Sequence, residues 1–174
     1  NEDVVGWIYV DALPDISYPI VKGKDNQTYL HQTYEKNYNF AGTIFVDYEN
    51  SGDFSDCNTL VYGHNMKNGN VFHELEDYKD ESFYKEHKTF TFDTIYGSGE
   101  YEIFAVILSK AYTEDANAFK YYEFTNAADQ SEFDVYVNTV RGMSLYETGV
   151  KPQYGDKLVT LSTCEYSQED GRMA

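Results

Sequence analysis

Short runs of β-branched and aromatic residues dominate the pattern of hydrophobic positions along the chain. Several of them are bounded by Gly, Asn or Asp, which is typical of β-strands. The predicted strands cover residues 16–23, 42–49, 58–65 and 157–164. A longer run, residues 88–112, surrounds the sequence GSG and predicts two strands joined by a hairpin turn at those glycines. The chain is therefore predicted to be mainly β.

Helical patterns occupy two of the connections between these strands. Apolar residues within residues 71–87 are spaced for short helices rather than for a strand. Asn126 stands as a plausible N-cap before a second pattern, which predicts one amphipathic helix over residues 126–146. Apolar residues recur there at helical spacing, at Phe133, Val137, Val140 and Met143.

No internal repeat, low-complexity segment or linker divides the 174 residues. A chain of this length can bury a substantial core as one domain, residues 1–174. Because strands outnumber helices, we expect a closed or nearly closed β-barrel with helices in its connections. His64 and Cys164 both fall near the C-terminal ends of predicted strands. If those strands are parallel neighbours, the imidazole and the thiol meet at one mouth of the barrel.

The net charge narrows the classes of partner. The formal charge is −17 at pH 7. A chain this acidic repels the phosphates of nucleic acids and the headgroups of anionic membranes, so neither is expected to bind directly, whereas basic peptides and amines are attracted. No run approaches the ~20 apolar residues of a membrane span, and the first residues lack the pattern of a signal peptide. As given, the chain is expected to be soluble.

Metal and disulfide chemistry are not expected from the sequence. Cys57 and Cys164 could pair once but are too few for a disulfide scaffold, and no zinc-binding motif occurs. The histidines outside the predicted barrel mouth, His31, His73 and His87, are expected at the surface or at edges. Four acidic residues crowd one loop without the spacing of an EF-hand: Asp47, Glu49, Asp53 and Asp56. We expect this loop to be solvated, with no metal and no other cofactor.

A cysteine at the end of an apolar strand, followed closely by a cationic residue, can be a reactive cysteine. Cys164 ends the predicted strand 157–164, and Arg172 comes eight positions later. The thiolate is the reactive form of cysteine, and positive charge nearby stabilises it. Cys57 has the opposite strand parity to His64, so we expect it to be a buried and inert thiol. The sequence thus predicts Cys164 as the chemically active cysteine.

Several motifs together resemble those of a class B sortase, over nearly the whole chain. They are TLSTC with the following Arg172, VYGHNM, and the opening VGWIYV…ISYPIVKGKDNQTYL…GTIFVD. The resemblance implies a closed eight-stranded barrel with an N-terminal helix and with the long helix, 126–146, inserted before the cysteine strand. In sortases the arginine begins a final strand beside the cysteine strand. Only Met173 and Ala174 follow Arg172 here, so we expect that strand to be cut short or absent, which would leave an unpaired edge.

The resemblance also implies a function, that of a cysteine transpeptidase that attaches surface proteins to the Gram-positive cell wall. Cys164 is then the nucleophile that cleaves a sorting signal after its threonine and holds the protein as a thioester. His64 would protonate the leaving amine and deprotonate the incoming one. Arg172, helped by backbone N–H groups after Cys164, would donate to the oxyanion or to the substrate backbone. Three neighbouring residues are expected to contact the substrate: Ser162, Thr163 and Asn65.

The implied partners are a sorting-signal peptide and the amine of a peptidoglycan precursor, or of a pilin. The implied location is the extracellular face of the cell membrane, reached through an N-terminal anchor that the chain given does not include. Two rival functions stay open. A cysteine hydrolase would use the same thiol and imidazole with water as the acceptor, and a non-enzymatic acidic surface module would need neither. The thiol and imidazole titrate as a coupled pair, so their working protonation state is also open.

Overall fold

Nine strands form one curled sheet in the computed structural model, which describes residues 1–174. In chain order the strands are β1 (Val4–Val10), β2 (Leu13–Lys22), β3 (Phe45–Val46), β4 (Asn58–Tyr62), β5 (Thr89–Thr94), β6 (Gly97–Glu102), β7 (Leu108–Lys110), β8 (Leu158–Cys164) and β9 (Gly171–Met173). Across the sheet their order is β6-β5-β1-β2-β3-β4-β8-β9-β7. The prediction of a mainly β fold is confirmed.

The helices lie in the connections between strands, as the sequence predicts. A 3₁₀ helix (His73–Lys79) and α1 (Glu81–Glu86) follow one another between β4 and β5, and α2 (Gln130–Met143) precedes the cysteine strand β8. Short 3₁₀ helices also cover Thr28–Leu30 and Tyr121–Glu123. None of the helices is long and apolar enough to cross a membrane.

Two expected features of the barrel are wrong. The outer strands β6 and β7 do not pair with each other, so the nine strands form a half-barrel rather than a closed barrel of eight. The first element is the strand β1 and not an N-terminal helix. β1 pairs antiparallel with both β2 and β5, and its alternating side chains bury Ile8 and Val10 while Trp7 and Tyr9 stay exposed. That two-sided pairing holds the segment as a strand.

The predicted strand 42–49 is longer than the observed β3. Only Phe45 and Val46 pair, in parallel with β2 and antiparallel with β4. The chain then turns at Asp47, whose carboxylate accepts a hydrogen bond from the Glu49 N–H at 2.8 Å. A side-chain carboxylate that bonds the backbone two residues ahead replaces the next ladder bond, so this turn ends the strand.

The hairpin predicted for residues 88–112 forms as β5 and β6, but its turn is misplaced. Thr94 pairs with Gly97, so the turn lies at residues 95–96 and the GSG sequence falls inside β6. The Thr94 hydroxyl accepts a hydrogen bond from the Tyr96 N–H at 3.1 Å, which stabilises a turn at this earlier place. The same run of sequence also contains a third strand, β7, that the pattern does not predict.

The amphipathic helix predicted for residues 126–146 is confirmed as α2. Its N-cap is Asp129, whose carboxylate accepts a backbone N–H of the first turn at 3.0 Å, and not Asn126. Asn126 instead fixes the approach to β4, because its amide accepts from the Cys57 N–H at 2.9 Å and donates to Asp56 at 2.8 Å. The buried face of α2 packs in a cluster beside β8: Phe133, Tyr136, Val137 and Val140.

Replacing Val137 with aspartate is expected to destabilise the protein strongly. Val137 is 1% exposed and packs in the same cluster as Leu158 of β8, so the new carboxylate would be buried without a partner. We expect a loss of about 3 kcal/mol or more in the free energy of unfolding, measured in urea. Val135→Asp is the matched control, because Val135 lies on the same helix and is 64% exposed. Equal stability of the two variants would contradict the packing of this face.

The last strand, expected to be cut short or absent, is present and short, with three residues in β9. β9 lies between two neighbours and is antiparallel to both, so the expected unpaired edge beside the cysteine does not occur. Arg172 is paired with Cys164 of β8 on one side and with Ser109 of β7 on the other. The unpredicted strand β7 is therefore what completes the sheet at the end of the cysteine strand.

Candidate active site

The parallel pairing of β4 and β8 brings His64 and Cys164 to the same end of the sheet. The ladder runs in step along both strands and ends with the pair Tyr62 and Ser162. One residue further, the Gly63 N–H donates to the Ser162 carbonyl at 3.1 Å, so the register continues toward the histidine and the cysteine. The parallel pairing, which the sequence left as a condition, is present in the structure. The thiol of Cys164 is half-buried and free of any disulfide.

A backbone carbonyl fixes the proton arrangement on His64. Its Nε2 lies 2.9 Å from the carbonyl oxygen of Leu30. A carbonyl oxygen can only accept, so Nε2 carries the hydrogen of this bond. Nδ1 is then the ring nitrogen that remains for proton exchange. The Leu30 carbonyl comes from the short 3₁₀ helix before β3, far from His64 along the chain.

The loop before β3 covers one face of the His64 ring. The ring centroids of His31 and His64 lie 5.7 Å apart, and Phe40 is 6.3 Å from His64. His31 is exposed, as expected, but its contact with His64 is not foreseen, because this loop has no strand or helix periodicity. His73, also expected at the surface, is half-buried, with Nδ1 2.6 Å from the Asn65 side-chain oxygen.

Arg172 on β9 is the ladder partner of Cys164 on the neighbouring strand β8. It pairs with Cys164 in the β8–β9 ladder, and residues that face each other in a ladder point to the same side of the sheet. Its Nη1 donates to the carbonyls of Asp170 at 3.3 Å and Gly171 at 2.8 Å. A guanidinium carries five N–H donors, so those on Nε and Nη2 remain for another acceptor. These two backbone contacts hold the head group of Arg172.

The backbone N–H that follows the cysteine is already occupied. The Glu165 N–H donates to the Gly171 carbonyl at 2.9 Å, which closes the turn between β8 and β9. The Ser167 N–H likewise donates to the Glu165 carboxylate at 3.0 Å. These two backbone N–H groups are therefore already bonded inside the protein. Arg172 pairs with Cys164 across the β8–β9 ladder, and its Nε and Nη2 donate to no atom of the protein.

The three residues expected to contact a substrate are turned inward. Ser162, Thr163 and Asn65 are 2%, 3% and 3% exposed. The Ser162 hydroxyl lies 2.7 Å from that of Tyr121, whose pKa burial raises to about 12 despite the opposing hydrogen bond from Ser162. The Thr163 hydroxyl donates to the Gly63 carbonyl at 2.7 Å, and the Asn65 amide donates to the Cys164 carbonyl at 3.0 Å. These bonds tie β8 to its neighbours.

Cys57 lies at the other end of the β4–β8 pair. It precedes Asn58, which pairs with Leu158, so the length of both strands, roughly 20 Å, separates it from Cys164. Both cysteines are free, which excludes the bridge considered from the sequence. Burial raises the pKa of the Cys57 thiol, with nearby Lys157 acting in the opposite direction. Cys57 is half-buried, less than expected, and stands outside the site.

The acidic loop is only partly solvated. Asp47 and Asp56 are 5% and 9% exposed, whereas Glu49 and Asp53 are exposed as expected. The Asp47 carboxylate accepts from Asn26 and Tyr62, each at 2.9 Å. Burial raises the pKa of Asp56, but hydrogen bonds from three neighbours outweigh it and lower that pKa overall: Asn126, Asn50 and Ser51. The two buried carboxylates thus fasten the loop to the sheet, and the expectation of full solvation is wrong for them.

Comparison with known proteins agrees with this geometry. The family model described as "Sortase domain" matches residues 8–174. Sortase B of Listeria monocytogenes is 41% identical over 175 aligned residues, which cover 99% of this chain and 68% of that protein. The crystal structure of Clostridium perfringens sortase B aligns with a TM-score of 0.88 at 33% identity and covers 99% of this chain and 91% of that one.

A third relative has been solved with its substrate. The Staphylococcus aureus sortase B–substrate complex aligns with a TM-score of 0.87 at 31% identity and covers 99% of this chain and 77% of that one. The family match spans nearly all of the chain and includes Cys164, His64 and Arg172. From these matches we conclude that the chain belongs to the sortase family, in class B, and is a cysteine transpeptidase.

Proposed function

We propose that this enzyme cleaves the C-terminal sorting signal of secreted proteins after a threonine and transfers the new carboxyl end to an amine of a peptidoglycan precursor. The observation that carries the proposal is the pairing of β8, which places Cys164 beside the parallel strand leading to His64 and opposite Arg172 on β9. Three groups of different chemistry thereby converge at one end of the sheet. Residues 1–174 act as one catalytic domain.

In the first half-reaction, the Cys164 sulfur attacks the threonine carbonyl carbon and forms a C–S bond. The carbonyl π electrons move to the oxygen, and the free N–H groups of Arg172 donate to the resulting oxyanion. When the intermediate collapses, the C–N bond breaks and His64 gives the leaving amine its proton. The Nδ1 atom performs this transfer, because Nε2 is held by the Leu30 carbonyl.

In the second half-reaction, the incoming amine attacks the thioester carbon. His64 Nδ1 takes the proton that the amine loses as the new C–N bond forms. The C–S bond then breaks, and Cys164 leaves as thiolate. The acidic surface, with a formal charge of −17, favours the approach of a cationic amine over that of an anion.

We assign Ser162, Thr163 and Asn65 to positioning rather than to substrate contact. Each has a side chain that is at least nine-tenths buried and already hydrogen-bonded inside the protein. A substrate could reach them only by breaking those bonds, which leaves buried polar atoms unpaired. Their role in the reaction is to hold β8 and the residue after His64 in place.

The enzyme works at the outer face of the cell membrane in this proposal, held by an N-terminal membrane anchor, as the family implies. Its substrates there are surface proteins that carry a sorting signal. Wall anchoring is the function we propose. Pilus assembly would use the same thioester and differ only in the amine that accepts it.

A fluorogenic peptide assay tests the proposal. Peptides with an NPxTN-like or a PxTG-like signal are incubated with the enzyme without an amine, with a glycine-based amine or with a lysine-containing peptide, and the products are identified by mass spectrometry. We expect cleavage after threonine and a ligated product when the amine is present. Cleavage with only hydrolysed product would support a hydrolase, ligation to a lysine side chain alone would support a pilin polymerase, and no cleavage would overturn the enzymatic proposal.

A further inference from the structure

A buried carboxylate adjoins the proposed nucleophile. Glu165 follows Cys164 directly, and its side chain is 3% exposed. Its Oε1 accepts from the Lys79 ammonium at 2.8 Å, and its Oε2 accepts from the Ser167 hydroxyl at 2.5 Å. A buried charge is tolerated only when it is paired and hydrogen-bonded, so Lys79 makes this position possible for a carboxylate.

Lys79 also connects to the other side of the site. Its Nζ lies 3.4 Å from Oε1 of Glu76, and the same oxygen accepts from the Asn65 side-chain amide at 2.7 Å. That amide donates in addition to the Cys164 carbonyl at 3.0 Å. The contacts therefore close a ring that begins and ends at the backbone of Cys164 and Glu165. Asn65 is the residue after His64, so the ring touches the neighbours of both proposed catalytic residues.

The 3₁₀ geometry of the helix His73–Lys79 places three of its polar side chains on one face. A 3₁₀ helix has 3.0 residues per turn, so residues three apart lie on one face. His73, Glu76 and Lys79 have this spacing, and all three contact members of the ring or its Asn65 corner. An α-helix would spread the same residues over about a third of its circumference. The local helix type thus brings three polar side chains to one line beside β8.

We propose that Lys79 is a positioning residue for catalysis, which holds the Cys164–Glu165 backbone and the residue after His64 through the Glu165–Lys79–Glu76–Asn65 ring. The inference rests on the proposed function of Cys164. Without the ammonium, Glu165 would have to move toward solvent or take up a proton, and the turn that carries the Cys164 carbonyl would shift with it. A displacement of about 1 Å at a catalytic group can cost on the order of 100-fold in rate.

The ionisation of both partners agrees with this role. Burial raises the pKa of Glu165, but the hydrogen bonds from Lys79 and Ser167 outweigh it, so the pKa is lowered overall. Burial lowers the pKa of Lys79, and its bond to Glu165 and the charge of Glu76 reverse that effect and raise it. Both groups are thus charged at neutral pH, as the ring requires.

The test compares Lys79→Met with Lys85→Met in the peptide assay. Lys85 forms an exposed pair with Glu81 at 2.9 Å on α1, so it matches the chemical change without touching the ring. We expect Lys79→Met to lower kcat roughly tenfold with little change in KM, since Lys79 is not among the groups proposed to contact the substrate. Lys79→Arg is expected to recover most of the rate, because it restores a cation. Lys85→Met is expected to match the wild type.

A double variant and a spectroscopic signal make the outcomes distinct. Lys79→Met with Glu165→Gln removes both charges and is expected to be no slower than Lys79→Met alone, because coupled residues are not additive. If the single variant Lys79→Met does not fold, the double variant takes its place in the assay. The NMR signal of the Asn65 side-chain amide is expected to move in Lys79→Met and to stay in Lys85→Met, whether or not a peptide is cleaved.

Each result decides one of the two proposals. If the Asn65 signal moves but kcat is unchanged, the positioning role is overturned while the transpeptidase proposal stands. If the signal does not move, the ring itself is wrong. If the wild type cleaves neither peptide, the proposed function fails, and the NMR signal still reports on the ring.

Discussion

Cys164→Ala is expected to abolish both cleavage of a sorting peptide and its transfer to an amine. Only the thiol can form the thioester, so no alternative residue carries the acyl group. We expect the rate to fall by at least about 1000-fold, to the level of the reaction without enzyme. The fold should survive, because Cys164 is half-buried and its backbone, rather than its sulfur, makes the ladder bonds to β9.

Mass spectrometry checks the same point directly. Wild-type enzyme incubated with peptide should carry the acyl group on Cys164, and the alanine variant should carry none. Cys57→Ser is the matched control, since Cys57 lies at the other end of the β4–β8 pair and should keep most of the activity. An alanine variant as active as the wild type would end the transpeptidase mechanism proposed for this thiol.

Gly171→Ala is expected to reduce kcat/KM by roughly 100-fold without removing any proposed catalytic group. A Cβ built at Gly171 overlaps the Glu165 carbonyl oxygen and comes within 3.1 Å of the Gln168 carbonyl. Both neighbours are backbone, which cannot rotate away as a side chain can. The start of β9 must therefore move, and Arg172, the next residue, moves with it out of its place opposite Cys164.

The control for this variant is Gly142→Ala, at a helical glycine where an added Cβ meets no atom within 4 Å. It should keep full activity and gain up to about 1 kcal/mol of stability from helix propensity. Hydrogen exchange of the β9 amides should speed up in Gly171→Ala and not in Gly142→Ala. Unchanged turnover by Gly171→Ala would show that the exact placement of Arg172 does not limit the reaction.

Strand alternation and chain order placed His64 and Cys164 near the ends of two strands that the structure shows to be parallel neighbours. Apolar alternation places Cys164 at the end of β8, and the motif VYGHNM places His64 after β4, so a parallel pairing was enough to bring them together. The contact of His31 with His64 and the occupied Glu165 N–H could not be predicted. Both depend on how loops fold over the sheet, and loops carry no periodic signal.

Local signals also failed where a distant partner decides the outcome. Asn126 and Asp129 are equally good N-cap residues, and Asn126 is excluded only because Cys57 and Asp56 use its side chain. Likewise, an acidic loop normally suggests solvated carboxylates. Asp47 is nevertheless buried, because the Asn26 amide and the Tyr62 hydroxyl donate hydrogen bonds to its carboxylate. In each case the competing interaction comes from residues more than a dozen positions away, which a pattern in one segment does not contain.

The parallel pairing of β4 with β8 has a consequence for how this enzyme folds. Gly63 and Thr163, which bond across this pair, lie 100 positions apart in the chain. Contacts of such long range form late, because the loop between them must close before any pairing energy is gained. The thiol and the imidazole are therefore far apart in partly folded chains. Activity is expected to return on refolding at the rate of the slowest phase in which structure forms. A chain that loses this one pairing loses catalysis while most of its sheet is still intact.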